Sequence, residues 1–262
     1  MKYFFAGTET RQYAETLKRM NVVAALQSYY HLGFKRQPNE YQFPLYLLDS
    51  GGFTIRERGC DEINVNDYAE FINRHDVKIA FNLDTASMEE SLKNQAVLEN
   101  DTQAKILPIY HYNDWCDGSD ELKNWIDDGY DYVAIAGSRA PKTSRIRFYE
   151  YCFSIVRNRA RIHGLAATAI DDMLRFPFYS VDSTTWLNAE KFGEWHEFRN
   201  GRIMKSKSLR VESKGPNPRV RDLNQLIADR GHFMRASITA YLEFEKYVTE
   251  LWAQRGVTWA DG

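Results

Sequence analysis

The sequence predicts an α/β fold, a (β/α)8 TIM barrel with a C-terminal helical extension, on three observations. First, eight short runs rich in apolar, aromatic and β-branched residues alternate with stretches of helical periodicity. Strand–helix alternation implies a parallel sheet with helical crossovers, and eight such strands is the number that closes a barrel. Second, the 262 residues fit one such domain, which typically takes about 250. Third, the runs end repeatedly in chemically useful residues, Asp49, Asp84, His111, Gly137 and Asp182. A barrel gathers the C-terminal ends of its strands at one mouth, so residues far apart in sequence would converge there. An open doubly wound sheet, the competing fold, would need fewer strands.

Taken in order, the strand candidates are residues 3–6, 22–28, 45–49, 77–84, 106–111, 132–136, 161–165 and 178–182. Each is short, apolar and rich in residues that suit a pleated surface. The helices between them fall at residues 10–20, 65–74, 88–99, 121–128, 145–157 and 169–174, where apolar positions recur with helical spacing. After Trp186 the pattern changes. Residues 194–221 have few periodic apolar positions and read as a basic irregular segment, interrupted by the turn Gly215-Pro216-Asn217-Pro218. Residues 222–255 read as terminal helices, either one long helix or a pair broken at Gly231. Asp222 with Gln225 resembles a capping box, and Leu223, Leu226, Ile227, Met234, Ile238, Tyr241, Leu242, Val248 and Leu251 form an apolar stripe. There is no internal repeat, so residues 1–262 are expected to form a single domain.

Composition narrows the function classes. A hydrophobic fraction of 44% with 27% charged residues is that of an ordinary soluble globular protein. The net charge of −2 argues against coating nucleic acid with the whole surface, though not against a local basic patch. Cys60, Cys116 and Cys152 form no C-x-x-C pair, against a disulfide framework or a sequence-local zinc knuckle. The N-terminus is apolar for only a few residues before Thr8 and Glu9, too few for a signal peptide, and no run could span a bilayer. The expectation is a cytoplasmic protein with no membrane partner.

Three segments could carry chemistry. In Leu47-Leu48-Asp49-Ser50-Gly51-Gly52-Phe53 a strand ends on an aspartate, two glycines let the backbone approach a ligand, and Phe53 can lie against a planar group. The same pattern suits an aspartate that merely caps a tight βα turn. In Tyr179-Ser180-Val181-Asp182-Ser183 a second aspartate ends the last strand. Two carboxylates at different strand ends suit glycosidic-bond chemistry, one attacking the anomeric carbon and one moving protons. Equally, Asp182 could cap the turn that follows it. In Phe81-Asn82-Leu83-Asp84 a third carboxylate could accept two hydrogen bonds from the edge of a guanine-like base, or could bond loop amides.

Asp49-Ser50-Gly51-Gly52-Phe53 resembles the DSGG-aromatic motif of the queuine and archaeosine tRNA-guanine transglycosylases. The order of the other features matches that superfamily: Asp84, then the strand end Ile135-Ala136-Gly137-Ser138, then Asp182. His163-Gly164-Leu165 with Tyr179-Ser180-Val181-Asp182-Ser183 most resembles the phage-encoded members that modify DNA, the DNA 7-deazaguanine transglycosylases. The resemblance covers roughly residues 1 to 190. It implies that Asp182 attacks C1′ of a deoxyguanosine and that Asp49 is the general acid and base. It further implies that Asp84 holds the Watson–Crick edge and Phe53 stacks on the base. Ser50, Gly51, Gly52, Gly137 and Ser138 would complete the base site. His111 sits where the tRNA enzymes place a glutamine that touches the base; a histidine bonded to a neighbouring strand is the alternative. Those enzymes also carry a C-x-C-x-x-C zinc site near the C-terminus, whereas no cysteine follows Cys152 here. The resemblance therefore implies no metal and no cofactor.

In the basic segment, Arg199, Arg202, Lys205, Lys207, Arg210 and Lys214 could contact phosphates beside the mouth, or simply be solvated. The implied partners are DNA, as a flipped or single-stranded guanosine, and a free 7-deazaguanine such as 7-cyano-7-deazaguanine. A phage-encoded enzyme would work in the host cytoplasm. The rival functions are a tRNA-guanine transglycosylase, an N-glycosidic hydrolase using water as acceptor, and a non-catalytic nucleic-acid-binding barrel.

Overall fold

A computed structural model describes the chain apart from residues 53, 56–58, 60–62, 189–193, 207–222 and 260–262, and the side chains of 223–230. The first half runs β1 (Lys2–Ala6), α1 (Arg11–Arg19), β2 (Ala24–Ser28), α2 (Tyr29–Leu32), β3 (Leu45–Asp49), α3 (Val65–Arg74), β4 (Ile79–Phe81) and α4 (Met88–Asp101). Next come β5 (Lys105–Leu107), β6 (Ile109–His111), α5 (Tyr112–Cys116), α6 (Glu121–Asp127), β7 (Tyr132–Ala136), α7 (Lys142–Val156) and β8 (Arg161–Gly164). The chain finishes with α8 (Ile170–Arg175), β9 (Ser180–Ser183), a 3-10 turn (Thr185–Leu187), β10 (His196–Arg199), β11 (Arg202–Lys205) and α9 (Leu223–Gln254).

Strands β1 to β9 form one parallel sheet in the order β5-β4-β3-β2-β1-β9-β8-β7-β6. Its two ends, β5 and β6, are separated in the chain only by Pro108, which has no N–H to give the ladder. On one side of this break the Asn82 N–H donates to the Leu107 carbonyl, and on the other the Ala134 N–H donates to Pro108. The two pieces are thus one stave bent at a proline, and the sheet is an eight-staved barrel of the TIM type. The single expected strand at 106–111 is corrected to this broken pair.

Alternation along each strand sorts the side chains into two cores. Phe4, Leu26, Leu47, Phe81, Leu107 and Ala134 fill the barrel interior. Their neighbours Tyr3, Phe5, Val133, Ile135 and Val181 face outward, into a larger core under the helices. Each such aromatic or aliphatic side chain contributes roughly 1.5–3 kcal/mol by leaving water.

The C-terminal third differs from expectation in two ways. Residues 196–205, expected to be irregular, form an antiparallel hairpin with His196 opposite Lys205 and Arg199 opposite Arg202. Its turn is Asn200-Gly201, with φ of 51° and 75°. Two left-handed residues make the tight turn whose twist matches paired strands, and Asn-Gly is the dipeptide that adopts it most readily. The remainder of the basic segment, with Lys207, Arg210 and Lys214, lies outside the described residues, as does Asp222 of the expected capping box. Second, α9 is one helix of 32 residues that runs through Gly231 rather than breaking there. A single helical glycine costs about 1 kcal/mol, less than the packing that holds this helix to the barrel. Tyr241 stacks on Tyr3 at 4.7 Å, Glu245 Oε2 accepts the Tyr3 N–H at 2.8 Å, and the α-amino group of Met1 donates to Thr249 Oγ1 at 2.9 Å. No helix among the described residues is long and apolar enough to cross a membrane.

Candidate active site

The C-terminal ends of the strands bring together what the sequence scatters. Asp49 ends β3, Asp84 follows β4, His111 ends β6 and Asp182 lies in β9. The proximity of the three carboxylates is written in their electrostatics. Burial raises the carboxyl pKa of Asp49 from an ordinary 3.8 to about 7, and the charges of Asp84 and Asp182 push the same way. The Gly51 backbone N–H and the nearby Ser28 hydroxyl oppose the shift without cancelling it. Part of the Asp49 surface still opens to the mouth, yet protein atoms surround its carboxyl closely enough for desolvation to dominate.

The loop after Asp49 is built to hold this carboxyl. Gly51 has φ of +88°, a region L side chains rarely enter, and a Cβ there would lie 2.8 Å from Ser28 Oγ and overlap the Tyr30 side chain. Only glycine lets the chain turn this tightly against the adjacent strand end, where Ser28 pairs in register with Asp49. Ser50 is fully buried, and its Oγ accepts the Gly52 N–H at 3.3 Å, closing the turn from inside. Gly52 is buried beside it, and Phe53 lies outside the described residues. Both readings of this motif therefore meet in one place: Asp49 accepts from its own turn and also faces the other carboxylates.

Asp182 has a different setting. Its Oδ1 accepts the Ala166 N–H at 2.9 Å and lies 3.2 Å from His163 Nε2. Ala166 holds φ of +49° to aim that N–H, a conformation costing a non-glycine residue about 1 kcal/mol or more. Both contacts fall on Oδ1, and among the described residues Oδ2 has no such contact. Asp84 is buried, with Oδ2 2.8 Å from His111 Nε2. That contact is a close approach without hydrogen-bond alignment of the ring nitrogen. The His111 backbone N–H donates instead to Asp114 Oδ2 at 2.9 Å, anchoring the start of α5.

Gly137 follows the end of β7, next to half-buried Ser138. A Cβ at Gly137 would lie 2.6 Å from the Phe148 ring, so this glycine lets α7 press against the strand end. Arg145, on α7, then ties the loop down: its Nε is 2.7 Å from Asp172 Oδ2 and its Nη1 donates to the Ser138 and Ala140 carbonyls. With side chains 14% and 2% exposed, this ion pair is shielded enough to hold the rim of the mouth.

The described cations of the hairpin are engaged. Arg199 pairs with Glu197, Lys205 with Glu194, and Arg202 Nη1 reaches Asp171 Oδ1 at 2.9 Å. Asp171 opens α8, just beyond the C-terminal end of β8, so Arg202 links the hairpin to the mouth side of the barrel. These pairs are exposed and easily exchanged for other partners. Among the described residues no group of three or more His, Cys, Asp or Glu is arranged to hold a metal ion. A cavity of about 480 Å³ lies between α9 and the starts of β1 and β9, lined by Lys2, Tyr179, Glu245 and Trp259. It is at the far end of the barrel from the carboxylates and does not belong to this site.

Sequence reasoning did not assign roles to Ser28, Ala166 or Ser180, and it used His163 only as part of a resemblance. His163 could have been found from alternation: it lies in register with inward-facing Ser180, and Ser180 is two residues before Asp182. The chain matches no protein-family model, and no curated protein matches it. Fold and site together define a parallel α/β barrel with three carboxylates at its mouth, each in a distinct setting.

Proposed function

We propose that this chain is a base-exchanging transglycosylase that replaces guanine in DNA by a 7-deazaguanine such as 7-cyano-7-deazaguanine. The observation that carries the reading is the pairing of two unlike carboxyl groups in one mouth. Asp182 has its Oδ1 met by the Ala166 N–H and the His163 ring nitrogen, while Asp49 has a pKa of about 7 and can both give and take a proton near neutrality.

In the first step Asp182 Oδ2 attacks C1′ of the nucleotide. The C1′–N9 bond breaks, a C1′–O bond forms, and the departing guanine takes its proton from Asp49. In the second step the incoming deazaguanine gives a proton to the Asp49 carboxylate and its nitrogen displaces Asp182 from C1′. Asp84 accepts from the Watson–Crick edge of either base, with His111 beside it, and this edge excludes adenine. Gly51, Gly52, Gly137 and Ser138 frame the base pocket. A guanine stacked in a duplex cannot enter a barrel mouth, so the substrate is flipped or single-stranded, at an unstacking cost of a few kcal/mol. Arg199, Arg202 and Lys205 exchange their exposed acidic partners for phosphates.

The test is to trap the intermediate. The protein is incubated with a guanine-containing DNA oligonucleotide and, in parallel, with tRNA, and a denaturation-resistant adduct is sought by mass spectrometry. A DNA adduct that Asp182→Ala abolishes is the expected result. An adduct with tRNA alone moves the substrate class to RNA. Base release without any deazaguanine requirement points to hydrolysis. No adduct, together with no incorporation of 7-cyano-7-deazaguanine, overturns the proposal.

A further inference from the structure

Below the Asp182 carboxylate a line of polar groups descends through the barrel interior. His163, with no exposed surface, has Nε2 3.2 Å from Asp182 Oδ1 and Nδ1 2.7 Å from Ser180 Oγ. Ser180 Oγ is in turn 2.6 Å from the Tyr132 hydroxyl. The rings of Phe4 and Phe81 flank the imidazole, with centroids 6.1 and 4.9 Å away. Buried polar groups with apolar flanks must satisfy one another, so the direction of each hydrogen bond can be worked out.

A neutral imidazole has one N–H and one bare nitrogen. In one arrangement Tyr132 donates to Ser180, Ser180 donates to His163 Nδ1, and His163 donates its Nε2–H to Asp182. In the reverse arrangement His163 donates from Nδ1, and the bare Nε2 faces Asp182 Oδ1. That oxygen already accepts the Ala166 N–H. The reverse arrangement therefore sets two lone pairs against each other unless Asp182 carries a proton, and a protonated carboxyl is no nucleophile. The phenol at the bottom of the line favours the first arrangement as well, because among the described residues Ser180 Oγ is the acceptor within reach of its O–H.

We infer that His163 is a positioning residue, held in its Nε2–H tautomer by Ser180 and Tyr132, which pins Oδ1 of Asp182 and leaves Oδ2 to attack. The inference rests on the reading of Asp182 as nucleophile, and it adds what sets that nucleophile. His163 touches neither substrate nor reacting atom. Its contribution is orientation of the carboxylate, through a proton whose location is dictated two residues away.

The tautomer can be read without any reaction. In protein labelled with 15N-histidine, long-range proton–nitrogen correlation distinguishes a protonated from a bare ring nitrogen, and the His163 signals are those missing from His163→Gln. We expect Nε2 protonated and Nδ1 bare. Ser180→Ala and the volume-conserving Tyr132→Phe should each move the ring toward a tautomer mixture. In single-turnover adduct formation with the guanine oligonucleotide, His163→Leu should slow the covalent step about 10- to 100-fold, the worth of one hydrogen bond to a charged group, and Ser180→Ala should slow it less, in proportion to the rings that lose the Nε2–H. The concentration dependence should change by less than about 2-fold in either variant, because ground-state binding is untouched. His163→Gln, which keeps an N–H donor, should retain more of the rate than His163→Leu. A wild-type ring protonated on Nδ1, on both nitrogens, or indifferent to Ser180→Ala and Tyr132→Phe overturns the inference. The expected tautomer with no adduct on DNA or tRNA supports the relay and sinks the transglycosylase reading instead.

Discussion

Replacing Asp49 by asparagine should make the protein more stable, and by an amount that depends on pH in a calculable way. The carboxyl titrates near 7 in the folded protein and near 3.8 in the unfolded chain. Between those values the native state holds the proton that the unfolded state has lost. Stability therefore falls as pH rises through this window and levels off above about 7. Each pH unit inside the window is worth about 1.4 kcal/mol. From pH 5 to pH 8 roughly two units lie inside it, so wild type loses about 2 to 3 kcal/mol from this group that Asp49→Asn does not lose. Asparagine keeps the shape and can still accept the Gly51 N–H, so the difference isolates the charge. Chemical denaturation of both proteins at pH 5, 6, 7 and 8 reads it directly, as the widening gap between their unfolding free energies. A gap that stays constant within about 0.5 kcal/mol over that range would refute the electrostatic account of the mouth. The same titration has a kinetic face: in the proposed reaction expulsion of guanine needs the protonated acid, so the rate of adduct formation should decline as pH rises through about 7.

Gly51→Ala should destabilise the fold by about 2 to 5 kcal/mol, since it combines a left-handed φ with overlap onto Tyr30 and Ser28; a denaturation midpoint equal to wild type would contradict this account of the turn. Neutralising Arg199, Arg202 and Lys205 together should lower the salt dependence of single-stranded DNA binding by about 0.7 for each phosphate no longer neutralised, or roughly 2 in the slope of log K against log salt. An unchanged slope, measured by titration between about 50 and 200 mM salt, would remove the hairpin from the proposed DNA interface.

The barrel was legible because its signals are local and repeated. Each strand is a short apolar run, and each helix between them carries its own periodicity, so the eight-fold alternation survives errors of a residue or two at element ends. What escaped was punctuation. Pro108 stands inside the run 106–111, and its missing N–H splits that stave. Asn200-Gly201 sits between Phe198 and Ile203, flanked by alternating side chains, and should have announced a hairpin in the segment expected to be irregular. There the density of arginine and lysine masked the turn signal. Gly231 erred the other way: its cost in a helix is real, but the apolar stripe on either side outweighs it.

The site was legible only in its outermost layer. Asp49, Asp84, His111 and Asp182 end strands, and strand ends of a barrel converge whatever the rest of the sequence does. What separates the roles of two aspartates lies in contacts that no local pattern encodes. Asp49 is shut away from water by the protein around its carboxyl and has two other carboxylates nearby, so it holds a proton near neutrality. Asp182 meets an N–H aimed by the strained backbone of Ala166 and, on the inference above, an imidazole proton placed by Ser180 and Tyr132. These partners come from β7, β8, the loop after β8 and β9, segments that become neighbours only when the sheet closes. Carboxyl groups of identical chemistry are made into a proton carrier and an oriented oxygen by what the barrel sets beside them. The proposed division into acid and nucleophile is therefore a property of the closed sheet, and the setting of Asp182 would be lost in any packing that separated β8 from β9 while leaving every strand intact.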